Sequence, residues 1–316
     1  MKKYLVVGNP IEHSLSPKIH NFWLKKHNIN AKYEKEKLEL LDLKKLVLRV
    51  KEGEIEGVNI TTPFKNSIIQ HLDKATDYSS NVQKLPSEAY RGDNLLPHSV
   101  NTIFKKDKFV LGANTDTTGF LQSLNALDIN VKNKRILILG SGGVVQSIIF
   151  ILKTQGVKKI YLSNRTKSKA ENIRLAHADN NNKSIIEIVE WEKLLADSPD
   201  ADIIINATSL GLKKNDLIPL NFKKYENKIF YDIVYNKKEN LPFVTDSFQS
   251  TYFLAGGFGN GNHCRNGAAM LILQAASSFA IWHGFDPIRK EITNFDKTVE
   301  HVFPDYYKEN IKTNDD

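Results

Sequence analysis

YLVVGNPIEHSLSP, residues 4–17, runs from an apolar stretch through a small polar turn into a helix start. Tyr4 to Val7 reads as a strand covered on both faces, because such strands appear as unbroken apolar runs rather than alternating ones. Ser16 suits a helix N-cap and Pro17 the first helical position. GVNITTPFK, residues 57–65, repeats the layout, with Ile55 to Ile60 as the strand and Lys65 opening the next helix. In open α/β sheets, ligands bind at the C-terminal ends of the strands. Hydroxyls of Ser14 and Ser16, beside the free N–H groups of a helix N-terminus, suit a carboxylate or phosphate. The two stretches predict a pocket for a small anionic, hydroxyl-rich molecule, reached by one amine.

Outward from these stretches, strand and helix patterns alternate. A helix over 17–27, a strand over 31–38 and a helix over 42–51 capped by Asp42 give βαβαβ order, which predicts an α/β fold with a largely parallel sheet. Residues 79–98 are polar and punctuated by Pro and Gly, and read as an irregular loop. A hairpin over 100–113 and a helix over 116–127 follow. From Arg135 a second series begins. It has strands at 136–139, 159–162, 185–189, 202–206 and 229–233, and helices at 144–154, 168–177 and 191–195. Residues 267–283 form a strongly apolar helix, and 308–316 a polar tail.

The chain has 316 residues, suited to two domains of ~150. Hydrophobic content of 41% and charged content of 25% are ordinary for a globular protein that dissolves in water. The net charge of +8 comes from scattered lysines. With no Arg-rich arm, zinc spacing or RNA-binding signature, no nucleic-acid partner is expected, and the positive field suits anionic ligands. One cysteine, Cys264, excludes an intramolecular disulfide and a cysteine-based zinc cage. The His263–Cys264 pair lacks a second cluster, so no metal is expected. His13 and His20 read as structural. No apolar run reaches membrane-span length, and Met1-Lys2-Lys3-Tyr4 enters a strand without the apolar region of a signal peptide. A cytoplasmic protein without a membrane partner, monomeric or homodimeric, is expected.

RILILGSGG, residues 135–143, is a buried strand entering a glycine turn and a helix, the context a dinucleotide fingerprint requires. Val145 stands where the third glycine would be, and a purely structural glycine turn would also account for the segment. The next strand ends in Ser163-Asn164-Arg165-Thr166, a little over ~20 residues on, where NAD enzymes carry an acid and NADP enzymes an arginine. Arg165 can grip a 2′-phosphate, with Asn164 and Thr166 beside it and Lys167 and Lys169 nearby. Asn206-Ala207-Thr208-Ser209-Leu210-Gly211 reads as another ligand-facing strand end.

With these segments in view, the chain resembles the shikimate dehydrogenase family. The resemblance is carried by GNPIEHSLSPKIHN (8–21), GVNITTPFK (57–65), SVNT (99–102), GANTD (112–116), GSGG (140–143), SNRT (163–166), NATSLG (206–211), YDIVY (231–235) and AAMLILQAASSF (268–279). It implies two α/β domains with a cleft between them: a substrate-binding domain over 1–115 and 267–316, and a Rossmann NADP-binding domain over 116–266. It implies NADP-dependent, reversible reduction of 3-dehydroshikimate to shikimate, a step of aromatic amino-acid and chorismate biosynthesis. Ser14, Ser16 and Tyr235 are implied for the carboxylate, and Asn59, Thr61, Asn101, Asp116 and Gln274 for ring hydroxyls. Lys65 and Asp116 are implied as the catalytic pair. Gly140, Ser141, Gly142, Gly143, Asn164, Arg165, Thr166, Lys169, Thr208 and Met270 are implied for the cofactor. A positioned amine can protonate a developing alkoxide, whereas alone Lys65 would be a solvated lysine and Asp116 a plain helix cap. A quinate/shikimate or aminoshikimate paralogue with the same chemistry is the nearest alternative, and a non-catalytic ligand-sensing module on the same fold a further one.

Overall fold

The computed structural model describes residues 1–77, 99–178, 184–210, 218–235, 252–288 and 292–304. They divide into two compact units, Met1–Gln122 with the described part of Leu271–Lys308, and Ser123–Met270.

The first unit contains β1 (Lys2–Gly8), α1 (Ser16–Lys26), β2 (Ala31–Lys37), α2 (Leu43–Glu52), β3 (Gly57–Ile60), β4 (Lys74–Asp77), β5 (Thr102–Lys106) and β6 (Phe109–Asn114). α3 (Thr115–Ala126) begins in it. The sheet order is β2-β1-β3-β5-β6-β4. β1 pairs in parallel with β2 on one side and β3 on the other, so the chain reverses its direction of travel across the sheet at β1. That switch point is where a crevice opens at the strand ends. There the two stretches that decided the fold meet: Asn9 N–H donates to Thr62 O at 3.0 Å, and Thr61 N–H to Val7 O at 2.9 Å. β5 runs antiparallel to β3 and β6.

β1 is buried through Tyr4, Leu5, Val6 and Val7, which accounts for its unbroken apolar run. β2, at the edge, alternates instead. Tyr33 is buried, and Glu34 pairs with Lys32 outside. Charges along an edge strand discourage pairing with another chain.

The second unit contains β7 (Arg135–Leu139), α4 (Gly143–Thr154), β8 (Lys159–Ser163), α5 (Lys167–Ala176), β9 (Ile186–Val189), β10 (Ile203–Asn206), β11 (Ile229–Asp232), α6 (Tyr252–Gly257) and β12 (His263–Arg265). Its sheet, ordered β12-β11-β10-β7-β8-β9, is parallel throughout. β7 is the switch strand, flanked by β8 and β10. α7 (Ala268–His283) begins in the second unit and ends in the first, where α8 (Ile292–Val302) follows. α8 lies against α1: Trp23 Nε1 donates to Thr298 Oγ1 at 3.0 Å and Lys18 Nζ to Val302 O at 3.0 Å.

Four sequence expectations need correction. Leu15, not Ser16, is the N-cap of α1. The Ser16 N–H is taken by Ser14 Oγ at 3.3 Å, so it is not a free donor. Lys65 opens no helix: residues 62–68 form turns, with Phe64 buried in the core and a single 3-10 turn only at Ile69–His71. Residues 191–195 hold one 3-10 turn, Trp191–Lys193, in place of a helix. Asp42 precedes α2 as expected, but its carboxylate accepts from Glu39 N–H at 3.0 Å instead of capping α2. The loop at 79–98 and the tail at 308–316 lie outside the described residues. Strands β4 and β12 and helices α6 and α8 have no counterpart in the sequence reading.

His20 makes a testable point about stability. It is 1% exposed, stacks on Tyr33 with ring centroids 4.2 Å apart, and neither ring nitrogen has a hydrogen-bond partner among the described residues. Burial, with His283 nearby, pulls its pKa from 6.5 down to about 3. The folded state therefore holds His20 neutral while the unfolded state protonates near 6.5. Its contribution is full above that value and is lost as pH falls from 6.5 toward 3. Thermal melting followed across that window should show the midpoint falling, and His20→Leu should flatten the fall. An equal slope in the variant would assign the effect to other groups.

Candidate active site

The Lys65 ammonium donates to Asp116 Oδ2 at 2.6 Å, in a pair whose side chains are 16% and 6% exposed. The turn after β3 presents Lys65. Phe64 anchors that turn in the core, and Val100 N–H donates to the Lys65 carbonyl at 2.8 Å. Asp116 sits in the first turn of α3, where the helix dipole favours a carboxylate. Its N–H donates to Asn114 Oδ1 at 3.2 Å, so Asn114 supplies the capping oxygen.

The second carboxylate oxygen, Asp116 Oδ1, accepts from Asn101 Nδ2 at 3.0 Å. The orientation of that amide is fixed from its other end, since Asn101 Oδ1 accepts the Thr115 N–H at 2.7 Å. Asn101 Nδ2 also reaches Thr115 Oγ1 at 2.9 Å and Gln274 Oε1 at 3.3 Å. Gln274 approaches because α3 carries Gly119 opposite it. A Cβ there would lie 2.6 Å from Gln274 Cβ and 2.8 Å from its backbone nitrogen.

Asn59 is buried at the end of β3. Its Oδ1 accepts from Tyr33 OH at 2.6 Å. Its Nδ2 donates to Asn101 O at 3.0 Å, Thr102 Oγ1 at 3.1 Å and Ser278 Oγ at 2.9 Å. Burial holds the Tyr33 phenol well above its usual pKa, partly opposed by a hydrogen bond from the Ser16 side chain. A connected set thus runs from Ser16 through Tyr33, Asn59 and Asn101 to Asp116 and Lys65. Ser14 is attached at the Ser16 end. Thr61 lies just past β3, its methyl filling the place a Cβ on Gly8 would take. The sequence reading does not single out Tyr33, Thr102, Thr115 or Ser278. The two threonines stand inside quoted segments, and Ser278 stands four residues after Gln274, on the same helical face.

In the second unit, Gly140 directly follows β7 with φ +108°, and a Cβ there would lie 2.8 Å from Ala207 O. Only glycine fits that backbone without strain. Its N–H donates to Ser163 O at 2.8 Å, joining the turn to the end of β8. Ser141 follows, Gly142 is the N-cap of α4 with no side-chain cap, and Gly143 is the first helical residue. A helix start left uncovered in this way suits a phosphate. Val145, at the missing third glycine, is a buried core residue. Across the switch point, Asn206 Oδ1 accepts from Thr208 N–H at 3.1 Å and Thr208 Oγ1 at 2.7 Å, while Asn206 Nδ2 donates to the buried Asp232 at 3.1 Å.

At the end of β8, Asn164 Nδ2 donates to Thr166 O at 2.9 Å, which shapes the turn carrying Arg165. Arg165 and Lys169 are exposed, and Lys167 is paired with Glu190 at 3.5 Å. Tyr235, half-buried just past β11, has its pKa raised by burial. Met270 is buried in the first turn of α7. Both belong to the second unit. Among the described residues, no group of His, Cys, Asp and Glu is placed to hold a metal, and no helix is long and apolar enough to cross a membrane.

Two family descriptions match the chain: the shikimate dehydrogenase substrate binding domain over residues 6–84, and shikimate / quinate 5-dehydrogenase over residues 123–234. A shikimate dehydrogenase (NADP(+)) from Pelagibacter ubique (strain HTCC1062) is 42% identical over 287 residues, covering 90% of this chain and 95% of its own length. One from Bacillus subtilis (strain 168) is 33% identical, covering 91% and 94%. Among solved structures, shikimate dehydrogenase from Aquifex aeolicus superposes with a TM-score of 0.73 at 28% identity, covering 95% of this chain and 97% of that one. Shikimate 5-dehydrogenase from Thermus thermophilus, in complex with NADP(H) and shikimate, superposes with a TM-score of 0.72 at 26% identity, covering 96% and 100%.

Proposed function

Since the chain belongs to the shikimate dehydrogenase family, we infer that Lys65 and Asp116 carry the proton transfer of its reaction. That reaction is the NADP-dependent, reversible reduction of 3-dehydroshikimate to shikimate, an oxidoreductase step on a CH–OH group. The observation that carries the reading is the partly buried Lys65–Asp116 pair at 2.6 Å, with Asn101 on the other carboxylate oxygen.

Reducing a ketone adds a hydride to carbon and a proton to oxygen. NADP(H), when bound, supplies the hydride. The Lys65 ammonium gives the proton to the developing alkoxide, and in the reverse direction the amine takes it back. Asp116 holds the ammonium in place and orients a substrate hydroxyl. Asn59, Thr61, Asn101 and Gln274 serve the ring hydroxyls, and Ser14 and Ser16 the carboxylate. The first unit accordingly takes the substrate.

The second unit takes the cofactor, with Gly140, Ser141, Gly142 and Gly143 at the phosphates. Asn164, Arg165, Thr166 and Lys169 serve the adenosine end, and Thr208 and Met270 complete the site. The positive backbone angle of Gly140 and the uncapped start of α4 support this fit. The single cysteine of the chain, the buried Cys264, suits a reducing, cytoplasmic setting, in which the chain works as a monomer or homodimer.

Reduced-nicotinamide absorbance should rise when the protein meets shikimate and NADP, and should rise much less with quinate. Quinate outrunning shikimate would assign the chain to the quinate-using branch. No turnover of either would leave a ligand-sensing module.

A further inference from the structure

The hydroxyl of Ser278 joins the two arms of the substrate-site network. It is fully buried and stands one helical turn after Gln274 on α7. Its Oγ lies 2.9 Å from Asn59 Nδ2, 2.8 Å from Thr102 Oγ1 and 3.1 Å from Thr115 Oγ1, and it donates to the Gln274 carbonyl at 3.2 Å. We propose that Ser278 is a positioning residue for the reaction, setting the hydroxyls that hold the Asn101 amide against Asp116. The proposal rests on reading this unit as the substrate site.

Counting hydrogens shows why one hydroxyl matters. A serine hydroxyl has one hydrogen and two lone pairs, yet four polar groups surround this one. Asn59 cannot turn its amide round, because Tyr33 OH already donates to its Oδ1 at 2.6 Å. Asn59 Nδ2 therefore faces this side as a donor, its two hydrogens shared among Asn101 O, Thr102 Oγ1 and Ser278 Oγ. The Ser278 hydrogen goes to Gln274 O or to a threonine. What remains decides which way the Thr102 and Thr115 hydroxyls point.

Those two hydroxyls in turn contact Asn101. Thr115 Oγ1 lies 2.9 Å from Asn101 Nδ2 and 3.1 Å from Asn101 Oδ1, and Thr102 Oγ1 lies 3.2 Å from Asn101 Oδ1. Asn101 Oδ1 already accepts the Thr115 N–H, so with one threonine hydroxyl turned toward its remaining lone pair the Asn101 N–H groups are directed at Asp116 Oδ1 and Gln274 Oε1. Ser278 touches neither Lys65 nor Asp116. It acts through Asn101, and buried networks of this kind respond as a unit rather than bond by bond.

Ser278→Ala removes a single oxygen and keeps the packing. Its kcat is expected to fall about tenfold, the scale of one buried hydrogen bond, while the KM for NADP stays within about twofold and the KM for shikimate changes less than kcat. Combined with Thr115→Val, the two losses should fall well short of multiplying, because both act on one network. A role confined to packing would lower the melting temperature and leave kcat and both KM values unchanged, which would overturn the proposal. Fully multiplicative losses would overturn it too. Should Ser278→Ala not fold, Thr102→Val removes the hydroxyl 2.8 Å away and is judged by the same criteria. Wild-type turnover is measured first. Its absence refutes the functional reading, whereas a normal wild type with an unaffected variant refutes the Ser278 assignment alone.

Discussion

Lys65→Ala is expected to lower kcat by about 10²–10⁴-fold, the usual worth of a positioned proton-transfer group, while the KM for shikimate rises far less. The geometry sets this expectation. Asp116 is held at both oxygens, by Lys65 at 2.6 Å and Asn101 at 3.0 Å, so the carboxylate cannot swing and the ammonium stays where it is presented. The turn that carries Lys65 is fixed independently, by Phe64 in the core and by the bond from Val100 N–H to the Lys65 carbonyl. Alanine therefore removes the amine and leaves the rest of the site standing. Asp116, 6% exposed, is left without its cation. A buried charge whose partner is removed is costly, so a lower melting temperature should accompany the kinetic loss. Stopped-flow and steady-state rates with saturating shikimate and NADP separate the two effects. A near-normal kcat with only a raised KM would make Lys65 a binding residue and refute its role in proton transfer.

What could be read from the chain divides by the distance over which the physics acts. β1 and β7 announce themselves because each lies at a switch point and is covered on both faces, which forces an unbroken apolar run. The glycine turn after β7 is legible for a similar reason. The positive φ of Gly140 and its contact with Ala207 admit no side chain. The pairing of Lys65 with Asp116, across 51 residues, comes only through the family resemblance, since nothing local marks it. Ser278 and Asn59 are 219 residues apart, and nothing in either neighbourhood announces the other. Tyr33 looks like the inward residue of an edge strand, which it also is. Lys65 is expected to open a helix, and what residues 62–68 do instead is turn, with Phe64 drawn into the core. β12 has three residues and no apolar alternation, and it exists because β11 offers a free edge.

Arg165→Ala is expected to raise the KM for NADP by about tenfold to a hundredfold, the equivalent of ~1.5–3 kcal/mol for one charge-assisted bond, and to leave the KM for NAD nearly unchanged. Arg165 stands two residues past the end of β8, the strand paired in parallel with β7. The bond from Gly140 N–H to Ser163 O at 2.8 Å ties that strand end to the glycine turn, so Arg165 stands one strand over from the proposed phosphate site. That is where Rossmann folds read the adenosine ribose. A guanidinium can meet a 2′-phosphate with two parallel N–H donors, and NAD offers it no such group. The turn is held without Arg165, by Asn164 Nδ2 donating to Thr166 O, so the substitution should leave the local backbone in place. Lys167 is engaged with Glu190 at 3.5 Å, which leaves exposed Lys169, four residues after Arg165, as a compensating charge. It can shrink the effect without reversing it. Arg165→Lys keeps a charge but loses the paired donors, and should fall between wild type and alanine. Rates titrated with each cofactor at fixed shikimate decide the matter. A wild type that prefers NAD, or a variant weakened equally toward both cofactors, would remove Arg165 from the recognition of the 2′-phosphate.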